Sequence, residues 1–309
     1  MTFAVEVKGL RARLGGREVL AGVDLAVSPG ELVTLVGPSG CGKSTLLRTI
    51  AGLRAADQGT ISLAGADVTS MPAEKRRVGL VFQDNALFGH LRVEGNVAFG
   101  LRHLPKSDRR ERVAEVLDLV KLGHLARRYP HQLSGGEQQR VAVARALAPK
   151  PSVVLLDEPF GALDEVLREE LGWEVRGILA KQGTSAILVT HDRHEAITLG
   201  DRVAVMSEGR ILQCAPPRDM YERPVDRFVA DFLATASYIR SDSGSETLVR
   251  PHQLRVTAGG PHTVVRVEFL GSTNRYTIKA SDGSTLVSDV GPAEALSVGD
   301  SCNVEMSKG

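Results

Sequence analysis

The run Gly37-Pro38-Ser39-Gly40-Cys41-Gly42-Lys43-Ser44-Thr45 is chemically the most pointed part of the chain, because its residue types and spacing satisfy G-x-x-x-x-G-K-[ST]. Glycines let the backbone curl until several N–H groups face one anion, and a following helix turns its positive end to the same place. A lysine at this spacing reaches the outer phosphates of a nucleoside triphosphate, and the next hydroxyl ligates Mg2+. Lys43 and Ser44 are expected in those roles. The loop alone serves kinases, GTPases and transport ATPases alike. Two further places carry chemistry: the acid pair Asp157-Glu158 after the apolar run Val153 to Leu156, and His191 after Ala186 to Thr190.

Such groups need buried strands that end where the loops begin. Glu31 to Val36 is short, apolar and β-branched, follows the turn Ser28-Pro29-Gly30, and reads as a strand feeding Gly37. Thr45 to Gly52 reads as the helix after the loop. Val153 to Leu156 and Ala186 to Thr190 read as two more buried strands, with others at Val5 to Leu10 and Val19 to Val27. Apolar spacing marks helices at Arg109 to Leu122, Gln138 to Leu147, Asp164 to Gln182 and from Arg193. Val203 to Met206 and Arg210 to Gln213 read as a hairpin turned on Glu208-Gly209. Short apolar strands alternating with helices imply an α/β unit with a mostly parallel sheet covered on both faces.

The pattern changes near Ser237. A polar linker, Ser241 to Ser245, precedes alternating runs at Thr263 to Phe269, Arg275 to Lys279, Thr285 to Val287 and Cys302 to Met306. Turns are expected at Gly259-Gly260 and Asp282-Gly283. This reads as a small all-β unit of barrel type. Two domains are therefore expected, 1–237 and 238–309.

Composition excludes some classes. The 309 residues are 42% hydrophobic and 24% charged with a net charge of +1, which gives no electrostatic case for a nucleic-acid partner. The three cysteines are far apart and suit a reducing compartment. The N-terminal MTFAVEVKGL has no signal-peptide pattern, and no run reaches the roughly 18 apolar residues of a membrane span.

Leu133-Ser134-Gly135-Gly136-Glu137-Gln138-Gln139-Arg140 decides among the classes, since it closely resembles the signature sequence of ABC ATPases. The resemblance covers roughly residues 3–235. It implies a P-loop ABC ATPase core with a helical subdomain at about 87–150. It also implies ATP and Mg2+ as ligands, and a homodimer in which Ser134, Gly135, Gly136 and Glu137 clamp the γ-phosphate of ATP held by the opposite subunit. Gly37 to Thr45, with Pro38, Ser39, Gly40, Cys41 and Gly42 between, would hold the phosphates. Val153 to Glu158 resembles the Walker B strand: Asp157 would hold the metal through water, and Glu158 would be the general base. Phe160-Gly161-Ala162-Leu163-Asp164 resembles the D-loop, whose Asp164 contacts the partner subunit. Ile187 to His191 resembles the switch-histidine strand, so His191 would contact the γ-phosphate. Val81-Phe82-Gln83 resembles the Q-loop, in which Gln83 senses Mg2+ and the γ-phosphate and relays that state to a membrane subunit.

Three residues depart from the family pattern or invite chemistry. Leu14 stands where relatives carry an aromatic residue that stacks on adenine, so weak discrimination between ATP and GTP is expected, with Arg11 or Arg13 as alternative stacking groups. Cys41, near a helix N-terminus and Lys43, is expected to have a lowered thiol pKa and to be open to inactivating alkylation. Gly89 replaces a usual proline and is expected to loosen the segment Leu87 to Leu91.

The C-terminal part supplies the subfamily. Leu248-Val249-Arg250-Pro251-His252-Gln253-Leu254 resembles the entry to the OB-like (TOBE) domain of importer ATPases for ferric iron, polyamines, sulfate, molybdate and sugars. Tyr129 to Gln132 and Leu155 to Asp164 look most like the ferric-iron transport ATPases. The implied partners are a transmembrane permease and, through it, an extracytoplasmic solute-binding protein. The implied place is the cytoplasmic face of the membrane. A soluble, non-transport ABC ATPase is the alternative from another class.

Overall fold

The structure is a computed structural model that describes residues 2–161, 163–240, 246–291 and 296–307. The expected linker at 241–245 and Ala162 of the D-loop lie outside the described residues. The chain forms two compact units, Met1–Val225 and Asp226–Gly309.

In chain order the first unit begins with β1 (Val5–Leu14), β2 (Arg17–Val27), β3 (Leu32–Val36), α1 (Lys43–Ile50), β4 (Gln58–Leu63), β5 (Ala66–Asp67) and β6 (Val78–Val81). Three helices follow: α2 (Val93–Ala98), α3 (Lys106–Leu119) and α4 (Gly135–Leu147). Then come β7 (Val153–Asp157), α5 (Glu165–Gln182), β8 (Ser185–Val189), α6 (Arg193–Leu199), β9 (Arg202–Ser207), β10 (Arg210–Ala215) and α7 (Pro217–Glu222).

The main sheet has the order β10-β9-β3-β8-β7-β6, and all its pairings are parallel except the β9–β10 hairpin. Period-two alternation sorts its side chains between two cores. Val33, Leu35, Val153, Leu155, Ile187 and Val189 pack with α1 and with the antiparallel sheet β2-β1-β4-β5. Leu32, Val154, Leu156, Ala186 and Leu188 face α4, α5 and α6 instead. A fully buried Val or Leu contributes about 1.5–3 kcal/mol, so a slip of one residue in any of these strands would exchange the two cores and forfeit both.

The helices between β6 and β7 form a third core around Val93, Val97, Leu101, Val116 and Leu122. Buried Arg112 of α3 ties this layer down by donating to the carbonyls of Ala148 (2.9 Å) and Leu147 (3.0 Å) at the end of α4, where cations are favoured. The segment around Gly89, where loosening was expected, is hydrogen-bonded to α2. The buried amide of Asn96 accepts from Phe88 N (2.8 Å) and donates to the carbonyls of Phe88, Leu91 and Arg92, which pins the chain on both sides of the glycine.

The second unit contains α8 (Arg227–Leu233), β11 (Ser237–Arg240), β12 (Glu246–Val249), β13 (Leu254–Phe269), β14 (Asn274–Lys279), β15 (Thr285–Val290) and β16 (Ser301–Met306). β11 and β12 pair as a ribbon, and the other four form an antiparallel sheet in the order β15-β14-β13-β16. The unit begins earlier than the boundary expected at 237, because the buried guanidinium of Arg250 donates to the carbonyls of Ala230, Ala234 and Thr235 and so holds α8. Gly259-Gly260 is not the expected turn. β13 runs through it, and the register shifts so that Ala258 and His262 both face Cys302, as in a bulge. Among the described residues, no helix is long and apolar enough to cross a membrane.

Candidate nucleotide site

The carboxyl ends of four adjacent parallel strands, β3, β8, β7 and β6, each deliver a predicted site residue. Open α/β sheets place their ligands at this edge. The loop after β3 is tightly shaped. A Cβ on Gly37 would lie 2.0 Å from the carbonyl oxygen of Met206, and Gly42 has φ +113° with Val19 O 2.7 Å from where its Cβ would stand. Only glycine fits either position. α1 starts at Lys43 rather than at the expected Thr45, so its first turn belongs to the phosphate loop itself. Lys43 is buried, and its Nζ donates to the carbonyls of Gly37 (2.8 Å) and Pro38 (3.1 Å), which holds the ammonium across the loop mouth.

Ser44 Oγ donates to Asp157 Oδ1 at 2.8 Å, joining the loop to the end of β7. Burial pushes the Asp157 carboxyl up, against the opposing hydrogen bond from Ser44. A hydroxyl and a carboxylate at this distance are the hard oxygen donors that Mg2+ takes, and the ion completes its shell with water and substrate phosphate. The described residues hold no group of three or more His, Cys, Asp or Glu able to cage a metal. Ser44 and Asp157 therefore suit Mg2+.

Glu158 leaves the strand with φ +46°, and its amide donates to Val189 O of β8 (3.0 Å). The side chain turns to meet two other predicted residues. Gln83 Nε2 donates to Glu158 Oε2 at 3.4 Å, and His191 Nδ1 lies 3.2 Å from the same oxygen. The left-handed backbone of a non-glycine residue is the strained conformation often kept at reactive sites.

A cleft of about 640 Å³ opens over the loop, lined by Ser39 to Thr45, Glu158 and Leu14. Sequence reasoning missed the rest of its wall: Arg17, Glu18, Val19, Glu208 and Gly209. Arg17 pairs with Leu14 across the Gly15-Gly16 turn, so a hairpin drawn at that glycine pair would have found it. Gly209 donates to Cys41 O (3.1 Å) and accepts from Ala21 N (2.9 Å), a contact between distant segments with no local signal. Arg11 and Arg13 do not line the cleft, and Arg11 is engaged by Glu18 at 2.8 Å. The expectation for the Cys41 thiol is also corrected. The residue is 8% exposed, and its burial raises the pKa more than Lys43 lowers it.

The signature residues stand apart from this cleft. Ser134 caps α4 with a full capping box: its Oγ accepts from Glu137 N (3.3 Å), and Glu137 Oε2 accepts from Ser134 N (2.7 Å). That hydrogen bond from the Ser134 backbone holds the Glu137 carboxyl below the usual range. The helix thus begins at Gly135, ahead of the expected Gln138, and Gly136 allows it to sit on Leu167 and Leu171 of α5. Ser134, Gly135, Gly136, Glu137 and Asp164 line no part of the cleft over the phosphate loop. Asp164 caps α5 by accepting from Leu167 N (3.0 Å). Arg168 joins that region to the histidine strand, donating to Leu163 O (2.9 Å) and to Asp192 Oδ2 (3.3 Å) beside His191.

A phosphate loop between a buried parallel strand and a helix, with a serine–aspartate pair at its floor, defines a P-loop nucleoside triphosphatase. The family model for ABC transporter matches residues 20–161, and that for TOBE domain matches residues 247–309. The spermidine/putrescine import ATP-binding protein of Frankia alni is 52% identical over 92% of this chain and 72% of the relative. The Fe(3+) ions import ATP-binding protein of Rhodococcus jostii is 46% identical over 92% and 89%, and the sulfate/thiosulfate import ATP-binding protein of Pseudomonas putida is 43% identical over 92% and 90%. Among solved structures, cbiO1 from Clostridium perfringens, part of the ABC transporter complex cbiONQ, superposes with a TM-score of 0.65 at 29% identity, covering 71% of this chain and 90% of that one. The dimeric post-hydrolysis state of the ATP-binding cassette MJ0796, bound to ADP and Pi, gives 0.61 at 32%, covering 69% and 99%. The chain belongs to the ATP-binding subunits of ABC importers that carry a TOBE domain, and it is an ATPase coupled to transport.

Proposed function

We propose that two copies of this chain close head-to-tail around two ATP molecules on the cytoplasmic face of the membrane, and that hydrolysis resets the pair and drives a permease fed by an extracytoplasmic solute-binding protein. The convergence of Gln83 and His191 on one oxygen of Glu158 carries the catalytic part of this reading. Lys43 and the amides of residues 37–45 bind the β- and γ-phosphates. Ser44 and Asp157, with Gln83, would hold Mg2+, which would supply positive charge against the phosphate oxygens. Glu158 takes the proton of the attacking water, and Gln83 and His191 hold its carboxylate in place through Oε2. The separation of Ser134 to Glu137 from the phosphate-loop cleft supports completion of each site by a second copy. There the α4 amide end, with Ser134 and the Gly135-Gly136 backbone, meets the γ-phosphate.

Ferric iron is the solute proposed, on the resemblance of Tyr129 to Gln132 and Leu155 to Asp164 to ferric-iron ATPases. A polyamine is the second reading, favoured by the 52% identity to the spermidine/putrescine relative. Uptake of labelled iron, putrescine and sulfate, compared between cells carrying the wild-type chain and Glu158→Gln, decides between them. Loss of iron uptake alone supports the first reading, loss of putrescine uptake alone the second, and unchanged uptake of all three refutes both.

A further inference from the structure

We propose that Arg145 is a positioning residue for hydrolysis, which holds the loop after Gln83 in the strained conformation that presents Gln83 to Glu158. Arg145 lies in the last turn of α4. Its guanidinium reaches across to the loop between β6 and α2, donating to Ala86 O at 2.6 Å and to Asn85 O at 2.8 Å. The same guanidinium sits 5.5 Å from the centre of the Phe88 ring.

The two residues it grips are costly. Asn85 has φ +58° and Ala86 φ +42°, consecutive non-glycine residues in left-handed backbone. Asn85 Oδ1 is also buried without a hydrogen-bond partner. Strain and an unpaired acceptor persist only where the surroundings over-determine them. The charge-assisted donors of Arg145 supply that constraint in the middle of the loop. Asn96 supplies it at Phe88. Gln83, just upstream, is exposed and meets Glu158 at 3.4 Å, so its aim depends on where the clamped residues hold the backbone. The helix that carries Arg145 is capped by Ser134, the residue proposed to meet the opposite nucleotide.

The inference rests on Gln83 acting in hydrolysis, so Gln83→Ala is measured beside the Arg145 variants. In the full chain, Arg145→Gln is expected to speed hydrogen exchange of the amides of residues 83–88 by about tenfold or more while α4 stays protected. Its kcat should fall by about tenfold to a hundredfold, with KM for ATP within about twofold of wild type. Arg145→Lys keeps the charge without the two-pronged donor and should fall between. Ala86→Gly relieves the left-handed strain and should restore part of the lost kcat when added to Arg145→Gln, while leaving an otherwise wild-type chain near normal. If Arg145→Gln does not fold, the same three readings on Arg145→Lys with and without Ala86→Gly decide. Unchanged exchange at 83–88, unchanged kcat, or no recovery with Ala86→Gly overturns the proposal. Full activity of Gln83→Ala instead overturns the role of Gln83 itself, whatever Arg145 does.

Discussion

Replacing Glu158 by glutamine removes the proposed base and almost nothing else. The amide is isosteric with the carboxylate. Its single oxygen can still accept from Gln83 Nε2, now at 3.4 Å, or face His191 Nδ1, now at 3.2 Å, but not with the charge and two-oxygen capacity of the carboxylate. The side chain is 22% exposed and the histidine 57%, so losing their contact costs at most about 1 kcal/mol of stability. Loss of a general base slows a reaction by about 10²–10⁴-fold, equivalent to about 3–5 kcal/mol of barrier. The expected result is a variant with wild-type thermal stability, retained ATP binding and turnover reduced by at least about a hundredfold. Phosphate release in Mg-ATP, with size-exclusion chromatography of both proteins, checks it, and the variant should trap ATP as a dimer. Turnover of Glu158→Gln within about threefold of wild type would show that the water loses its proton elsewhere.

Other residues yield expectations of different kinds. Cys41 is buried and its thiol is pushed up by burial, so alkylation near pH 7.5 should run about tenfold or more below a free thiol. Its rate should also keep rising with pH beyond the ordinary thiol midpoint; labelling followed by mass spectrometry reads this. Burial raises the Asp157 carboxyl, so the folded state binds its proton more readily than the unfolded chain. The stability this contributes is present below the raised pKa and is lost as pH rises from the unfolded value through the folded one. Asp157→Asn should therefore melt higher than wild type at neutral pH, with a smaller change at acid pH, while losing Mg2+-dependent turnover; a lower melting temperature at neutral pH would refute the sign. The cleft wall offers Leu14 and Arg17 but no aromatic ring, so kcat/KM for GTP should lie within about tenfold of that for ATP, and Leu14→Tyr should widen the gap.

Much of the core was legible because burial writes itself into strand composition. Glu31 to Val36, Val153 to Leu156 and Ala186 to Thr190 are apolar on both faces, as strands of a covered parallel sheet must be, and β3, β7 and β8 lie there. β4 and β6 were not evident because Gln58 to Thr60 is exposed polar chain and the short run Val78 to Val81 is interrupted by Gly79. The bulge in β13 escaped because two glycines in succession signal a turn locally, and only pairing with β16 on both sides shows the strand continuing.

The chemical inventory is local in the chain: the phosphate loop, the acid pair, the glutamine, the histidine and the signature each form a pattern whose spacing needs no fold to be read. Tertiary structure alone decided how those residues meet. Gln83 and His191 are far from Glu158 in the chain and come within 3.4 Å of its carboxylate because β6, β7 and β8 lie side by side with their carboxyl ends aligned. The same holds for the errors. A helix N-terminus beside a lysine argues for an acidic thiol at Cys41, but burial beneath the loop reverses the sign, since desolvation depends on every atom packed around the sulfur. Arg145 carried no motif at all, and its hold on Asn85 and Ala86 exists only because α4 folds back against the loop that follows β6.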